Sequence, residues 1–494
     1  MRRLPPRLVI AAPQGRSGKT TVAIALARML KNRGLAVQSF KKGPDYIDPS
    51  WLRLASGNEC FNLDNFLMPE DALLTSFARR SRGADIAIVE GAMGLFDSPA
   101  ADGEGSVAWL ARLLRAPVIL VVNAERMTRS IAALVSGFQH FESGTDLAGV
   151  ILNRVSGSRH VEKLKDAVES HCNIPVLGAV PRNPALSIAE RHLGLIPSSE
   201  KAQAESIVSA VCDKVAPHLD LEAIIELAER APDHLIPEVP GTPPAKPTCR
   251  IGVIADRAFS FYYPENIEAL HNAGADIVRI DAFSDRVLPQ IHGLYIGGGF
   301  PELYAAELEE NKELRRDIGR QIESGLPTYA ECGGLMYLTR AIRWQGKRYE
   351  MVGKIPGEVE ISNRPQGHGY MELEVAADNH WFAQGTVLRG HEFHHSRFIA
   401  AEHHSSNEDA LQKANWCYKV VRGHGIDGRV DGFAYKNLLA SYAHLHALGT
   451  PGWAPAFAAL ARKYKAQGKT RSKVEKKEAK EGSYGNLSGL QGRG

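Results

Sequence analysis

Two stretches of this chain place chemistry-bearing residues at a spacing that ordinary packing does not require. In the first, an apolar run, RLVIAAP, leads into Gln14-Gly15-Arg16-Ser17-Gly18-Lys19-Thr20-Thr21 and then into good helix formers. Glycines at such a turn let backbone N–H groups approach phosphate, the lysine neutralises its charge, and a threonine hydroxyl reaches a Mg2+ ion. Gly15, Gly18, Lys19, Thr20 and Thr21 are therefore expected to hold a nucleoside triphosphate. Pro13 stands where the first glycine of the common G-x-x-x-x-G-K-[ST] loop would be, which leaves the shorter G-x-x-G-K-T-T form.

The same half supplies carboxylates. Lys41-Lys42-Gly43-Pro44-Asp45-Tyr46-Ile47-Asp48-Pro49 and Glu90-Gly91-Ala92-Met93-Gly94-Leu95-Phe96-Asp97 each follow a run that reads as a strand. In open parallel sheets ligands bind at the carboxyl ends of the strands, so both loops should converge on the phosphate loop. Asp45, Asp48, Glu90 and Asp97 become candidate Mg2+ ligands or substrate-orienting groups, because a triphosphate brings a hard cation that prefers oxygen. Any one alone would be explained as a loop cap; four on two loops are harder to explain that way.

The second stretch lies in the other half. LPTYAE runs into Cys332-Gly333-Gly334 and then into LMYLTRAI, which is helical in pattern. A nucleophile on a tight strand-to-helix turn exposes its sulfur, and the helix amino terminus should lower the thiol pKa and donate N–H groups to an oxyanion. Gly297-Gly298-Gly299 follows another strand and can add donors. A thiolate also needs a basic partner. Ser441-Tyr442-Ala443-His444-Leu445-His446 supplies two imidazoles, and spacing alone does not choose between His444 and His446. A lone cysteine is usually a small core residue; the glycines and histidines around this one argue for more. His391, His394 and His395 form a second cluster, but without the HExxH pattern they are not read as a metal site.

The elements that must position these residues follow from periodicity. Before Pro232, short apolar runs (RLVIAAP, LAVQSF, ADIAIVEGA, APVILVVNA, LAGVILNRV) alternate with amphipathic stretches, beginning with a helix from Thr20 to about Arg33. Runs apolar throughout suit strands of a parallel sheet buried on both faces. The alternation restarts with CRIGVIAD, ADIVRIDAF, GLYIGGG and LPTYAEC. The expected fold class is α/β, with two doubly wound domains: residues 1–235, a proline-rich linker at 236–248, and residues 249–460. Residues 461–494 hold ten of the 59 Lys and Arg but three of the 56 Asp and Glu, and are expected to be a disordered basic tail. The remaining body, with 49 basic and 53 acidic residues, argues against a nucleic-acid surface. No membrane span and no secretion signal are expected, which implies a cytoplasmic location. Six cysteines without CxxC pairs argue against a disulfide framework.

The residues also resemble a known family. The short phosphate loop is similar to that of the dethiobiotin-synthetase and MinD group. Most of the chain resembles the cobyrinic acid a,c-diamide synthases, through SGKTT, KKGPDYIDPSW, NLDNFLM, EGAMGLFD, GVILNRV, RHLGLIP, AFSFYYPEN, GGGFPELYAAEL, AECGGLMYL, GHEFHHS and ASYAHLH, in that order. The resemblance implies a dethiobiotin-synthetase-like domain joined to a class I glutamine amidotransferase domain. It implies that Cys332 attacks the amide of L-glutamine with His444 as its base, since SYAH resembles the TYLH element of related cobyric acid synthases, and that Gly299 and Gly333 stabilise the oxyanion. ATP with Mg2+, the latter held by Thr20, Asp45, Asp48 and Glu90, would activate a substrate carboxylate as an acyl phosphate. Lys41 and Asp97 would face substrate or intermediate. The implied partner is a tetrapyrrole polycarboxylate, corrinoid first and sirohydrochlorin-type as the alternative, and a homodimer is among the assemblies this allows. A MinD-like ATPase switch explains the loop but leaves Cys332 without a role. PDYIDP speaks against a cobyric acid synthase-like enzyme.

Overall fold

The computed structural model describes residues 2–183, 190–191, 194–195, 197–198, 203–237, 246–400 and 415–468. Most of the expected linker and residues 469–494 of the expected tail lie outside them. The chain divides into two compact units, Met1–Gly241 and Thr242–Gly494.

In the first unit the apolar runs become one parallel seven-stranded sheet among the described residues. Its order is Phe61–Leu63, Val37–Lys42, Ile86–Glu90, Arg7–Ala11, Val118–Asn123, Leu147–Val155 and Val176–Pro181. Arg7–Ala11 and Ile86–Glu90 are buried at every position, as the absence of polar alternation requires. Strand order reverses direction around Arg7–Ala11. That switch point opens a crevice at the carboxyl ends, and the phosphate loop fills it. The loop ends in helix Lys19–Asn32, whose Ala, Leu and Met content favours helix and whose face is buried on the sheet. The Arg33 N–H closes its last turn on Met29 and Leu30, and Gly34, at φ 89°, turns the chain away.

The second unit has a parallel core, Ala275–Ile280, Cys249–Ile254, Gly293–Ile296, Thr328–Glu331 and Leu438–Ser441, as the periodicity indicates. The sheet then continues through antiparallel strands Val430–Tyr435, Trp416–Arg422, Gly367–Val375, Val387–His394 and His444–Leu445. Only Tyr442 and Ala443 separate its fifth strand from its tenth, so the antiparallel half must curl back on the core. That curl pairs His391 with His444. A smaller sheet, Lys347–Glu350, Thr339–Trp344, Ile355–Ile361 and Ser396–Ala400, packs alongside.

Two local expectations are corrected. LMYLTRAI is not one helix: helix Gly333–Leu338 stops at Leu338 and Thr339–Trp344 is a strand. Thr339 Oγ1 bonds the Met336 carbonyl at 2.7 Å, ending the turn, and the following residues pair with Ile355–Ile361. The segment expected to be tail from 461 instead begins inside a helix over 453–468, with Ala461 fully buried. Among the described residues no helix is long and apolar enough to cross a membrane. All six cysteines are free and buried.

Candidate active sites

The loop over residues 14–21 turns from strand Arg7–Ala11 into helix Lys19–Asn32. Gly18 takes φ 100° at the start of helix Lys19–Asn32, and a Cβ there would lie 2.1 Å from Asn153 Nδ2. Asn153 donates to the Ser17 carbonyl at 2.8 Å and so pins the loop from another strand; nothing in the loop's own sequence could have shown it. Gly15 is exposed with open space around it, and Thr21 lies in the helix's first turn. Lys19 Nζ donates to the Met93 carbonyl at 2.6 Å. Burial, helped by repulsion from Lys41, pushes its pKa down to about 8, against the attraction of Glu90, Asp48 and Asp97.

The carboxylates do converge. Thr20 Oγ1 lies 2.6 Å from Glu90 Oε1 and 3.4 Å from Asp48 Oδ2. Lys41, which is buried, donates to Asp48 at 2.6 Å and Glu90 at 3.1 Å, with Asp45 at 3.7 Å. Burial alone would lower the Lys41 pKa; the three carboxylates reverse that and hold it well above the usual value. Burial raises Glu90 to about 7 and Asp45 to about 6, in each case with repulsion from Asp48. Burial also opposes ionisation of Asp48, but Lys41 outweighs it and the net shift is downward. Asp45 Oδ1 accepts the Ile47 and Asp48 N–H groups and so caps helix Ile47–Ser56. Asp97 is exposed and accepts the Gly94 N–H at 2.7 Å.

Buried Glu90 Oε2 has no hydrogen-bond partner, which is costly unless a cation takes it up. Among the described residues no three His, Cys, Asp or Glu side chains form a metal cage by themselves. The orphaned oxygen, on a carboxylate that also meets the Thr20 hydroxyl, fits Mg2+, which is held by one or two carboxylates and otherwise by phosphate and water. Thr20 and Glu90 are the groups that would hold such an ion, with Asp48 beside them, while Asp45 is committed to its cap.

In the second unit, Cys332 sits at φ 48°, ψ −101° between strand Thr328–Glu331 and helix Gly333–Leu338. A non-glycine residue held there is strained, and such strain concentrates at reactive positions. The Cys332 N–H is fixed by the Ser441 carbonyl at 2.8 Å, the Gly333 N–H bonds the sulfur, and Sγ faces the Phe393 carbonyl at 4.0 Å. The expected lowering of the thiol pKa is not found. Burial and nearby Glu302 raise it strongly, with Glu331 and Glu392 adding to that, and the Gly333 N–H opposes them only in part. A six-residue helix buried among carboxylates cannot offset desolvation of a thiolate.

Gly299 and Gly333 meet: a Cβ on Gly333 would lie 3.0 Å from Gly299 N. The His444 ring lies against Gly298, whose Cβ would be 2.4 Å from Cε1 and 3.1 Å from Nε2. His444 Nδ1 lies 3.5 Å from Glu331 Oε2. Glu331 is itself held by the Tyr295 hydroxyl at 3.0 Å and the Leu445 N–H at 3.1 Å. His446 turns elsewhere, to Glu265 at 3.6 Å and the Tyr263 ring. The two imidazoles therefore have different acidic neighbours: Glu331, the residue just before Cys332, for His444, and Glu265 for His446. His391 stacks on His444 with ring centres 4.9 Å apart and lies on strand Val387–His394. Burial, then repulsion from His444 and His446, keeps His391 well below its usual pKa.

The second unit thus carries a strained thiol, two glycine backbones in close approach and an imidazole packed on the neighbouring Gly298, and the first unit gathers Asp45, Asp48, Glu90 and Lys41 beside a glycine-rich strand-to-helix turn. Family models agree with each half. Residues 8–196 match the CobQ/CobB/MinD/ParA nucleotide binding domain, and residues 250–451 match the CobB/CobQ-like glutamine amidotransferase domain. The chain is a carbon–nitrogen ligase that uses glutamine as amido donor. Its similarity to cobyrinate a,c-diamide synthases runs end to end: 44% identity to that of Magnetococcus marinus (91% of this chain, 96% of that one), 41% to that of Archaeoglobus fulgidus (93% and 98%) and 37% to that of Listeria monocytogenes (89% and 96%). The chain belongs to the cobyrinate a,c-diamide synthase family.

Proposed function

We propose that this enzyme amidates the a- and c-acetate carboxylates of cobyrinate in cobalamin biosynthesis, with ATP as activator and glutamine as nitrogen source. The observation that carries the substrate is identity to cobyrinate a,c-diamide synthases across both units rather than across the phosphate loop alone.

In the glutaminase unit His444 takes the Cys332 proton as Sγ adds to the glutamine side-chain carbonyl. The oxyanion is received by the Gly299 and Gly333 N–H groups, His444 returns the proton to the amide nitrogen so that ammonia departs as the tetrahedral adduct collapses to a glutamyl thioester, and water then adds to the thioester, releasing glutamate and restoring the thiol. In the synthetase unit a substrate carboxylate oxygen attacks the γ-phosphorus of ATP and ADP leaves. Ammonia displaces phosphate from the resulting acyl phosphate. Lys19 and the loop N–H groups hold the phosphates, Thr20 and Glu90 with Asp48 would hold Mg2+, and Lys41 keeps those carboxylates placed. Mg2+, when bound, supplies charge neutralisation on phosphoryl oxygens. Asp97, exposed beside the loop, is assigned to the substrate side.

Mass spectrometry after incubation with ATP, Mg2+, glutamine and, in separate reactions, cobyrinate or sirohydrochlorin tests this. The expected result is two OH-to-NH2 exchanges on cobyrinate with one ADP formed per amide. Amidation of sirohydrochlorin alone would reassign the substrate, and ATP hydrolysis without any amide would overturn the reading.

A further inference from the structure

The sheet edge beyond the phosphate loop carries a charge arrangement that phosphoryl transfer leaves unused. Strands Val118–Asn123, Leu147–Val155 and Val176–Pro181 run side by side and parallel, with Asn123 opposite Asn153 and Val155 opposite Pro181. Their carboxyl ends bring Arg126, Arg154 and Arg182 to one edge. The guanidinium groups of Arg154 and Arg182 reach the same carboxylate, Glu125, at 3.8 and 3.1 Å. Arg126 and Arg129, on the loop that carries Glu125, are exposed, and Arg129 Nε lies 3.4 Å from His171 Nε2. Among the described residues Arg154 and Arg182 share the single carboxylate of Glu125, with Arg126 and Arg129 exposed on the same loop, on a body whose acidic residues outnumber its basic ones. The edge adjoins the phosphate loop, because Arg154 follows Asn153, which bonds Ser17.

The backbone beneath it is strained and pinned. Arg126 and Arg154 take φ of 60° and 61°, a left-handed conformation that arginine rarely adopts, and Arg16 in the phosphate loop takes 60°. Such conformations persist where surroundings enforce them, and they concentrate at ligand sites. Here the Glu125 N–H donates to Asn123 Oδ1 at 3.0 Å, the Ala124 N–H to the Asn153 carbonyl at 2.9 Å, and His160 Nε2 lies 2.6 Å from the Met127 carbonyl. The cations are therefore presented from fixed positions rather than from a slack loop.

We propose that Arg126, Arg154 and Arg182, with Arg129, form an anion-binding edge that grips carboxylates of the tetrapyrrole that are not reacting, while another carboxylate of the same molecule enters the phosphate loop. This rests on the proposed amidation of a tetrapyrrole polycarboxylate. A guanidinium fork matches a carboxylate in shape and charge. Holding several around one ring decides which of the others reaches the γ-phosphorus, and so which position is amidated. Nucleotide phosphate offers the same anionic chemistry, so the two sources must be separated by measurement.

Ammonia-dependent amidation of cobyrinate by the full chain separates them, with KM for cobyrinate and KM for ATP determined independently. For Arg126→Ala/Arg182→Ala the KM for cobyrinate is expected to rise about tenfold or more, the usual worth of a charged hydrogen bond. The KM for ATP should not change, which also reports a folded synthetase unit. The Arg126→Lys/Arg182→Lys chain should recover part of the loss, and added salt should weaken cobyrinate binding to the unsubstituted chain more than to the alanine chain. An unchanged KM for cobyrinate, or a rise in KM for ATP instead, would overturn the proposal. Failure of the underlying reading looks different: the unsubstituted chain would then form no amide from cobyrinate at all, and the proposal would fall with it.

Discussion

At the scale of single residues, the groups proposed to act are held in place by neighbours from distant parts of the chain. Glu331 is the clearest case. It precedes the nucleophile, yet its carboxylate faces His444 at 3.5 Å and is fixed by Tyr295 and Leu445. Glu331→Gln keeps the shape and removes the carboxylate that faces the His444 ring. Glutaminase kcat should fall about a hundredfold with KM for glutamine unchanged, while ammonia-dependent amidation continues; an unchanged kcat would show that Glu331 only packs. Lys41 is a second case. Buried among Asp45, Asp48 and Glu90, it is their common counterion, so Lys41→Met should destabilise the synthetase unit by about 3 kcal/mol or more in urea unfolding. A loss within experimental error would mean that the carboxylates take up protons at little cost. Cys332, Lys19, Thr20 and the carboxylates were legible in the sequence because each stands in a short contiguous pattern. Asn153 was not, and neither was the pairing of Glu331 with His444, because those contacts exist only once strands far apart in the chain lie side by side.

At the scale of elements, close approaches of glycine backbone shape the glutaminase site. A Cβ on Gly298 would lie 2.4 Å from the His444 ring, so Gly298→Ala should displace the imidazole and abolish glutamine hydrolysis while the thermal transition of the unit shifts little. Retained hydrolysis would show that the ring tolerates another position. Burial also leaves a pH signature. Asp431 is held up to about 7 against about 4 in an unfolded chain, although the N–H groups of Gly432, Tyr442 and Ala443 pull the other way. Folding therefore favours its protonated form, so this stabilisation is whole below pH 4 and is lost as the pH rises through 7. Asp431→Asn should flatten that part of the decline in urea midpoint, and an identical slope in the variant would assign the decline elsewhere. Strands of the first unit were readable because burial on both faces makes them apolar throughout. The break between Leu338 and Thr339 was not, because apolar residues continue across it and only a hydroxyl cap and a strand partner mark the change.

At the scale of the whole molecule, two α/β units match a nucleotide binding domain and a glutamine amidotransferase domain, and the proposed chemistry divides between them. The repeated alternation of strand and helix made the α/β character of both units legible. The antiparallel half of the second sheet was not, since its curl is set by the two-residue step from Ser441 to His444 and not by periodicity. Separate chemistries imply separable losses. Lys19→Ala should remove amidation with either nitrogen source, because carboxylate activation comes first, and normal amidation by that chain would refute the nucleotide site. The most direct test compares glutamine with ammonia as nitrogen donor to cobyrinate in folded Cys332→Ala protein. The expected result is no amide from glutamine and nearly undiminished diamide from ammonia; loss of both, or amide formation from glutamine, would contradict the division of labour between the two units.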